Sequence, residues 1–305
     1  VSARERVVCI GNATVDRTFA LDGEVHLKTK NPAVARPIAF GGVARNVAEN
    51  LARLGVRVEL IASVGDDDAG QAVLANCRAL GIGVERCVVS SSYPTPQYVA
   101  IIDAHNDLVI GGSDMRAIEA LPAEHVRNAH AGAEWAWTFA DCNLTADVLA
   151  DLIALPRAAG HRIAIDAVSV AKGRRLPADL HGIDLLFCNA AEARAYLGRD
   201  GADPEALAQA LHTRGAQSAI MTLGDAGAIV ADADGVALVR AERAQVADST
   251  GAGDALIAGT IYAAMQGATI RAALRTGMAA ASLAVEATAP VNPALSPASV
   301  AARLA

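Results

Sequence analysis

The residues best equipped for chemistry stand together at Asp248-Ser249-Thr250-Gly251-Ala252-Gly253-Asp254. Two glycines one residue apart let the backbone approach a ligand closely and turn successive N–H groups into one concavity. An apolar run follows at once, so the segment opens a helix. A helix N-terminus adds unpaired N–H donors and the positive end of the dipole. The amides of Gly251, Ala252 and Gly253 therefore suit a phosphoryl group in transfer. Asp254 lies in the first turn beside them, where a carboxylate can take the proton of an attacking hydroxyl. The plainer alternative is a tight turn in which Asp254 only steadies the helix start. Seven small or acidic residues at a strand–helix junction favour the catalytic reading. No Walker-type lysine follows a glycine here, and no dinucleotide fingerprint follows the first strand.

The elements that must position this segment read as alternating strands and helices. Strands are predicted at 6–13, 56–64, 135–140, 162–166, 184–188 and 218–223, with a hairpin over 226–231 and 236–240. Helices are predicted at 43–54, 69–80, 146–159, 190–197, 204–214, 252–265 and 270–286, with a short one from 297. Val43, Val47, Leu51 and Leu54 mark one apolar face, stopped by Gly55. Such alternation implies a mostly parallel sheet with helices on both faces. Residues 18–30, 84–90, 97–103 and 108–112 read instead as strands without intervening helices, with Asn106-Asp107 as a hairpin turn. They predict a small β-sheet lid built from inserted segments at about 17–40 and 84–113, on one domain spanning 1–305.

Hydrophobic residues make up 53% of the 305, enough for a large core, so a disordered chain is excluded. The net charge is −7, and only Lys28, Lys30 and Lys172 are lysines. With no basic block, a nucleic-acid polymer is not expected as a partner. Cys9, Cys77, Cys87, Cys142 and Cys188 are scattered, without a C-x-x-C pair, and the histidines lack H-x-x-x-H spacing. Neither a disulfide framework nor a zinc site is expected. The start has no signal-peptide pattern, and the uncharged stretch 255–270 is too short to span a bilayer. A soluble cytoplasmic protein without a membrane partner is the expectation.

D-S-T-G-A-G-D resembles the C-terminal signature of the ribokinase-like (phosphofructokinase B-type) sugar and nucleoside kinases. The family usually shows D-T-x-G-A-G-D, so Ser249 departs from it. Gly41 to Ala48 resembles its N-terminal signature. Asn189-Ala190-Ala191-Glu192 matches its N-x-x-E motif, and Thr222 to Gly227 its T-x-G-x-x-G phosphate loop. The motifs run in family order over nearly the whole chain. The resemblance implies a three-layer α/β/α ribokinase-like fold, ATP as phosphoryl donor and Mg²⁺. Asp254 would be the base, with Gly251, Ala252 and Gly253 as anion hole. Asn189 and Glu192, three apart, would hold Mg²⁺ through water. The same pair is nearly a capping box, which is their plainer role. Thr222, Gly224 and Gly227 would contact ATP, unless they form only a strand-to-hairpin turn. Asp248 and Thr250 resemble positions lining a monovalent-cation (K⁺) site, with Asn292 completing that region. Asp16 resembles the aspartate that binds sugar hydroxyls, and Asn46 the residue that completes sugar binding. Their plainer roles are a turn carboxylate and a polar helix residue. Asn12 lies at the same strand exit, and Gly42 allows close approach and a lid hinge.

Three stretches narrow the resemblance to the pseudouridine kinase branch: 41–55, 97–115 and Asp166-Ala167-Val168-Ser169-Val170-Ala171-Lys172. Lys172 could meet phosphate or base, or simply face solvent. The branch implies 5′-phosphorylation of a nucleoside by ATP and a homodimer through the lid. Ribose, adenosine or fructose as acceptor, or a non-catalytic nucleoside sensor, are the alternatives.

Overall fold

Runs such as Val7-Val8-Cys9-Ile10 are buried along their length and offer water no face. They pair as inner strands of an eight-stranded sheet in this computed structural model, which describes residues 6–305 apart from 24, 27, 106, 132–134 and 156–159. The strand order is Gly235–Val239, Ala228–Asp232, Ser218–Thr222, Leu185–Asn189, Arg162–Asp166, Trp137–Asp141, Arg6–Ile10 and Arg57–Ile61. The last six are mutually parallel, and the first two form an antiparallel hairpin at one edge.

Side chains alternate between the sheet faces with period two. Val7 and Cys9 pack in one core with Val47, Leu51, Ile257 and Leu274, from helices Val43–Arg53, Ala252–Met265 and Ile270–Ala284. Val8 and Ile10 pack in the other with Leu149, Leu207 and Leu211, from helices Ala146–Ala154 and Pro204–Thr213. The result is the expected three-layer α/β/α arrangement. No described helix is long and apolar enough to cross a membrane.

The second, five-stranded sheet is centred on Thr14–Leu21. That strand pairs antiparallel with Ala33–Ala35 and Ala39–Gly41, and parallel with Gln97–Ile102, which pairs antiparallel with Leu108–Asp114. Its central strand starts four residues before the predicted 18–30, because Val15 already donates to Pro96 O at 3.0 Å. That brings Asp16 into the sheet. The predicted 84–90 strand does not belong to it. Val88–Ser90 pairs instead with Ser63–Gly65, entered by the bond from Val88 N to Ala62 O at 2.8 Å. Asn106 lies outside the described residues, but Asp103 N donating to Asp107 O closes that turn. The helix predicted over 146–159 is described only to Ala154. The short helices Arg116–Glu119, Ala123–His130 and Val170–Gly173 were not predicted.

Candidate active site

Parallel strands ending in step bring polar residues into one row. Asp141 stands beside Asp166 and Asn189 beside Thr222, each at the carboxyl end of its strand. Open α/β sheets bind ligands along this edge. Helix Ala252–Met265 starts above it. A cavity of about 220 Å³ is lined there by Asp166, Asn189, Glu192, Thr222, Gly253 and Asp254, among others. A second of about 690 Å³ shares Thr222, Gly253 and Leu256 and has apolar walls from Val246, Met278 and Val285. Gly224, Gly227 and Ser249 also line it.

Gly251 caps the helix at φ +80°, and a Cβ there would lie 1.8 Å from Pro290 O. Only glycine fits. The Ala252 amide donates to Ser249 O at 3.3 Å, a long bond within the turn. Oδ2 of Asp254 accepts from Asn46 Nδ2 at 2.8 Å. Asp254 keeps contact with the cavity but sits deep among protein atoms. Burial pushes its carboxyl up to about 7, the Asp141 charge adds to this, and Asn46 and Arg45 oppose it. Asn46 belongs to helix Val43–Arg53, whose capping Gly42 has φ +95°. A Cβ on Gly42 would lie 2.4 Å from Asn12 O, so this glycine lets the helix start lie against the first strand's exit.

Asp141 fastens that junction. It is fully buried and accepts from Asn12 N at 2.9 Å, Ala44 N at 3.0 Å, and Asn143 N and Nδ2, both at 2.9 Å. Burial still raises its carboxyl against these four donors. Asp166 accepts from Val168 N at 3.1 Å. Burial drives it well above the usual carboxylate range, and the charges of Asp254, Glu192 and Asp141 push it further. Val168 itself is held at φ +66°, a strained setting for a β-branched residue. Sequence reasoning gave Asp141 and Arg45 no role and named Asp166 only within a motif. The available signal was position, since Asp141 and Asp166 each follow an apolar strand run.

On the other side, Asp16 accepts from the Thr14 hydroxyl at 3.0 Å and packs over Gly41. Burial raises its carboxyl, opposed by Thr14 and Arg45. Asn12 donates to Met115 Sδ at 3.2 Å, and its Oδ1 is buried with no hydrogen-bond partner among the described residues. Asn189 and Glu192 form a full capping box. Asn189 N donates to Oε2 at 2.9 Å, Nδ2 to Oε1 at 2.8 Å, and Glu192 N to Asn189 Oδ1 at 3.0 Å. The plainer role is thus present, while both residues also line the cavity.

The remaining predicted residues divide. Thr222 Oγ1 donates weakly to Cys188 O at 3.4 Å, and a Cβ on Gly227 would run into Val239 O. Asp248 accepts from Thr250 N at 2.8 Å. Asn292, expected to complete that region, donates from Nδ2 to Leu283 O of helix Ile270–Ala284 at 2.6 Å and accepts at Oδ1 from Ala294 N at 2.9 Å. Lys172 is not among the lining residues of the cavity. It pairs with Glu119 at 3.2 Å, and Arg175 shares that carboxylate at 2.6 Å.

No group of three or more His, Cys, Asp or Glu among the described residues forms a ready metal shell. Yet the Asp254, Glu192 and Asp166 carboxyls line one cavity and disfavour one another's ionised forms, so a cation there would relieve their repulsion. That fits a divalent cation held largely through its own waters.

The sequence profile described as "pfkB family carbohydrate kinase" matches residues 4–297. The pseudouridine kinase of Escherichia coli K12 is 29% identical over 304 residues, covering 97% of this chain and 96% of that protein. An uncharacterized sugar kinase of the same strain, YeiI, is 30% identical over 97% of this chain and 82% of its own length. The solved structure of a carbohydrate kinase from Agrobacterium tumefaciens superposes with a TM-score of 0.86. It is 32% identical and covers 98% of this chain and 97% of that one. The row of strand ends, the glycine-started helix above it and these matches agree: the chain belongs to the pfkB family of carbohydrate kinases, with the ribokinase-like fold.

Proposed function

We propose that this chain transfers the γ-phosphoryl group of ATP to the 5′-hydroxyl of pseudouridine, giving pseudouridine 5′-phosphate and ADP. The observation that carries the transfer is Asp254, raised to about 7 and held by Asn46 at the mouth of a helix N-terminus. Its Oδ takes the acceptor proton as the acceptor oxygen bonds to the γ-phosphorus. The bond from that phosphorus to the β-phosphate oxygen breaks, and ADP leaves with the electron pair. The amides of Gly251, Ala252 and Gly253 stabilise the charge on the group in flight. Mg²⁺ near Glu192, Asn189 and Asp166 would neutralise phosphate charge when bound. Phosphate is then held without lysine, which suits an acidic chain.

ATP belongs in the 690 Å³ cavity by this reading, with apolar walls for the base and Thr222, Gly224 and Gly227 toward its phosphates. Asp248 and Thr250 would line a K⁺ site. The nucleoside lies beneath the second sheet, its sugar hydroxyls on Asp16 and Asn46. The buried, unpartnered Asn12 Oδ1 supplies an acceptor for a substrate N–H or O–H. The similarity of 41–55 and 97–115 to the pseudouridine kinase branch, and the 29% identical relative, support the acceptor.

The second sheet acts as a lid and joins a second copy in this reading. Its residues Val34, Leu108 and Ile110 are each 57–65% exposed. Five free cysteines support a reducing, cytoplasmic setting. The test is incubation with ATP and Mg²⁺ against pseudouridine, uridine, adenosine, ribose and fructose, following both ADP and acceptor. Phosphorylated pseudouridine is expected. Faster turnover of another acceptor overturns the acceptor assignment, and ADP release without acceptor consumption favours the nucleoside sensor.

A further inference from the structure

Arg45 precedes Asn46 on helix Val43–Arg53 and is only 3% exposed. A guanidinium carries donors alone, fixed in a planar fork. Here Nη1 donates to Phe40 O at 3.1 Å and to Asn46 Oδ1 at 3.0 Å. Nη2 donates to Asn76 Oδ1 at 2.8 Å and pairs with Glu49, which also holds Arg53 at 2.6 Å. The fork thus ties three elements to one carboxamide.

A carboxamide has an accepting end and a donating end, and exchanging them costs nothing by shape. What decides its setting is its neighbours. Arg45 offers no acceptor, so the end of Asn46 facing it must be oxygen. Nδ2 is then left to face Asp254, which it meets at 2.8 Å. The reverse setting would put the amide oxygen against a carboxylate and the amide N–H against a cation. Phe40, the other partner of Nη1, lies in Ala39–Gly41, where Ala39 pairs with Asp16 of the second sheet.

We propose that Arg45 is a positioning residue: it fixes the Asn46 carboxamide so that its donor end holds Asp254, and it ties that setting to the root of the second sheet at Phe40. The proposal rests on Asp254 being the base. Arg45 itself is not among the residues lining either cavity.

The test is a double-mutant cycle. Arg45→Lys keeps a charge beside Glu49, but one ammonium cannot serve Phe40, Asn46 and Asn76 in their fixed directions. Phosphoryl transfer from radiolabelled ATP is measured for Arg45→Lys alone and in an Asn46→Ala background. Expected is a kcat loss of about tenfold or more with acceptor KM within about threefold, and no added loss in the Asn46→Ala background. Equal fold losses in both backgrounds, or a change in KM alone, would overturn the positioning role. If Arg45→Lys melts as an unfolded chain, Arg45→Met, which leaves Glu49 paired with Arg53, goes through the same cycle. Asp254→Asn is the control: retained turnover removes the base reading itself, whereas an inactive Asp254→Asn with additive Arg45 losses removes only the role of Arg45.

Discussion

Asn46 Nδ2 meets Asp254 Oδ2 at 2.8 Å across 208 positions of sequence. Each residue stands in the first turns of a helix opened by a glycine with positive φ, Gly42 and Gly251. The two helix starts therefore converge on one carboxylate, one from the acceptor side and one from the phosphate side. The bond favours the Asp254 charge, as the Arg45 cation does, against burial and Asp141.

The first consequence is a pH dependence. A base must be deprotonated to act, and Asp254 is raised to about 7 by burial and the Asp141 charge. Turnover should rise through about pH 7 and level off above it. A rate profile flat from about pH 5 to about pH 8 contradicts the base assignment.

Replacing Asp254 by Asn should abolish transfer and stabilise the protein at alkaline pH. The folded-state value of Asp254 lies above its ordinary one, so its favourable contribution is complete at low pH and is lost as pH rises toward about 7. Above that the wild type carries a buried charge that the amide lacks. Melting at about pH 8 should favour Asp254→Asn, with the gap shrinking toward about pH 4. A gap independent of pH would mean the carboxylate is not held as described.

Much of this site was legible in the chain because it depends on local chemistry. Glycine-started helices, N-x-x-E and the acidic helix turn are contiguous, and the structure brings Asp254, Asn46, Asn189, Glu192, Thr222 and Gly253 into one neighbourhood. What was not legible depends on distant partners. Asp141 acquires its role from Asn12, Ala44 and Asn143, and Arg45 from Phe40, Asn76 and Glu49. Lys172 stood out by rarity, yet its position was decided by Glu119 on a short helix without a sequence signal. Strand 88–90 was misassigned because alternation alone does not say which sheet supplies its partner.

Asp141→Ala should leave buried donors at Asn12, Ala44 and Asn143 without an acceptor. A loss of about 2–4 kcal/mol in denaturant unfolding is expected. Asp141→Asn keeps one accepting oxygen and should cost less. Loss below about 0.5 kcal/mol for the alanine variant contradicts the fastening role.

Gly251→Ala places a Cβ 1.8 Å from Pro290 O at φ +80°. The anion-binding turn must shift, and positioning errors of this size cost roughly a hundredfold in rate. We expect kcat/KM to fall by about that factor with the fold kept by circular dichroism. Unchanged kcat/KM would show that the turn does not hold the transferring group.

Pseudouridine and uridine share the ribose and differ at the glycosidic bond, where the C-nucleoside exposes one more ring N–H. The ratio of their kcat/KM values, measured with saturating ATP and Mg²⁺, bears most directly on the proposed activity. A preference for pseudouridine of about tenfold or more is the predicted result, the size of one well-placed hydrogen bond. Equal or better use of uridine would contradict it.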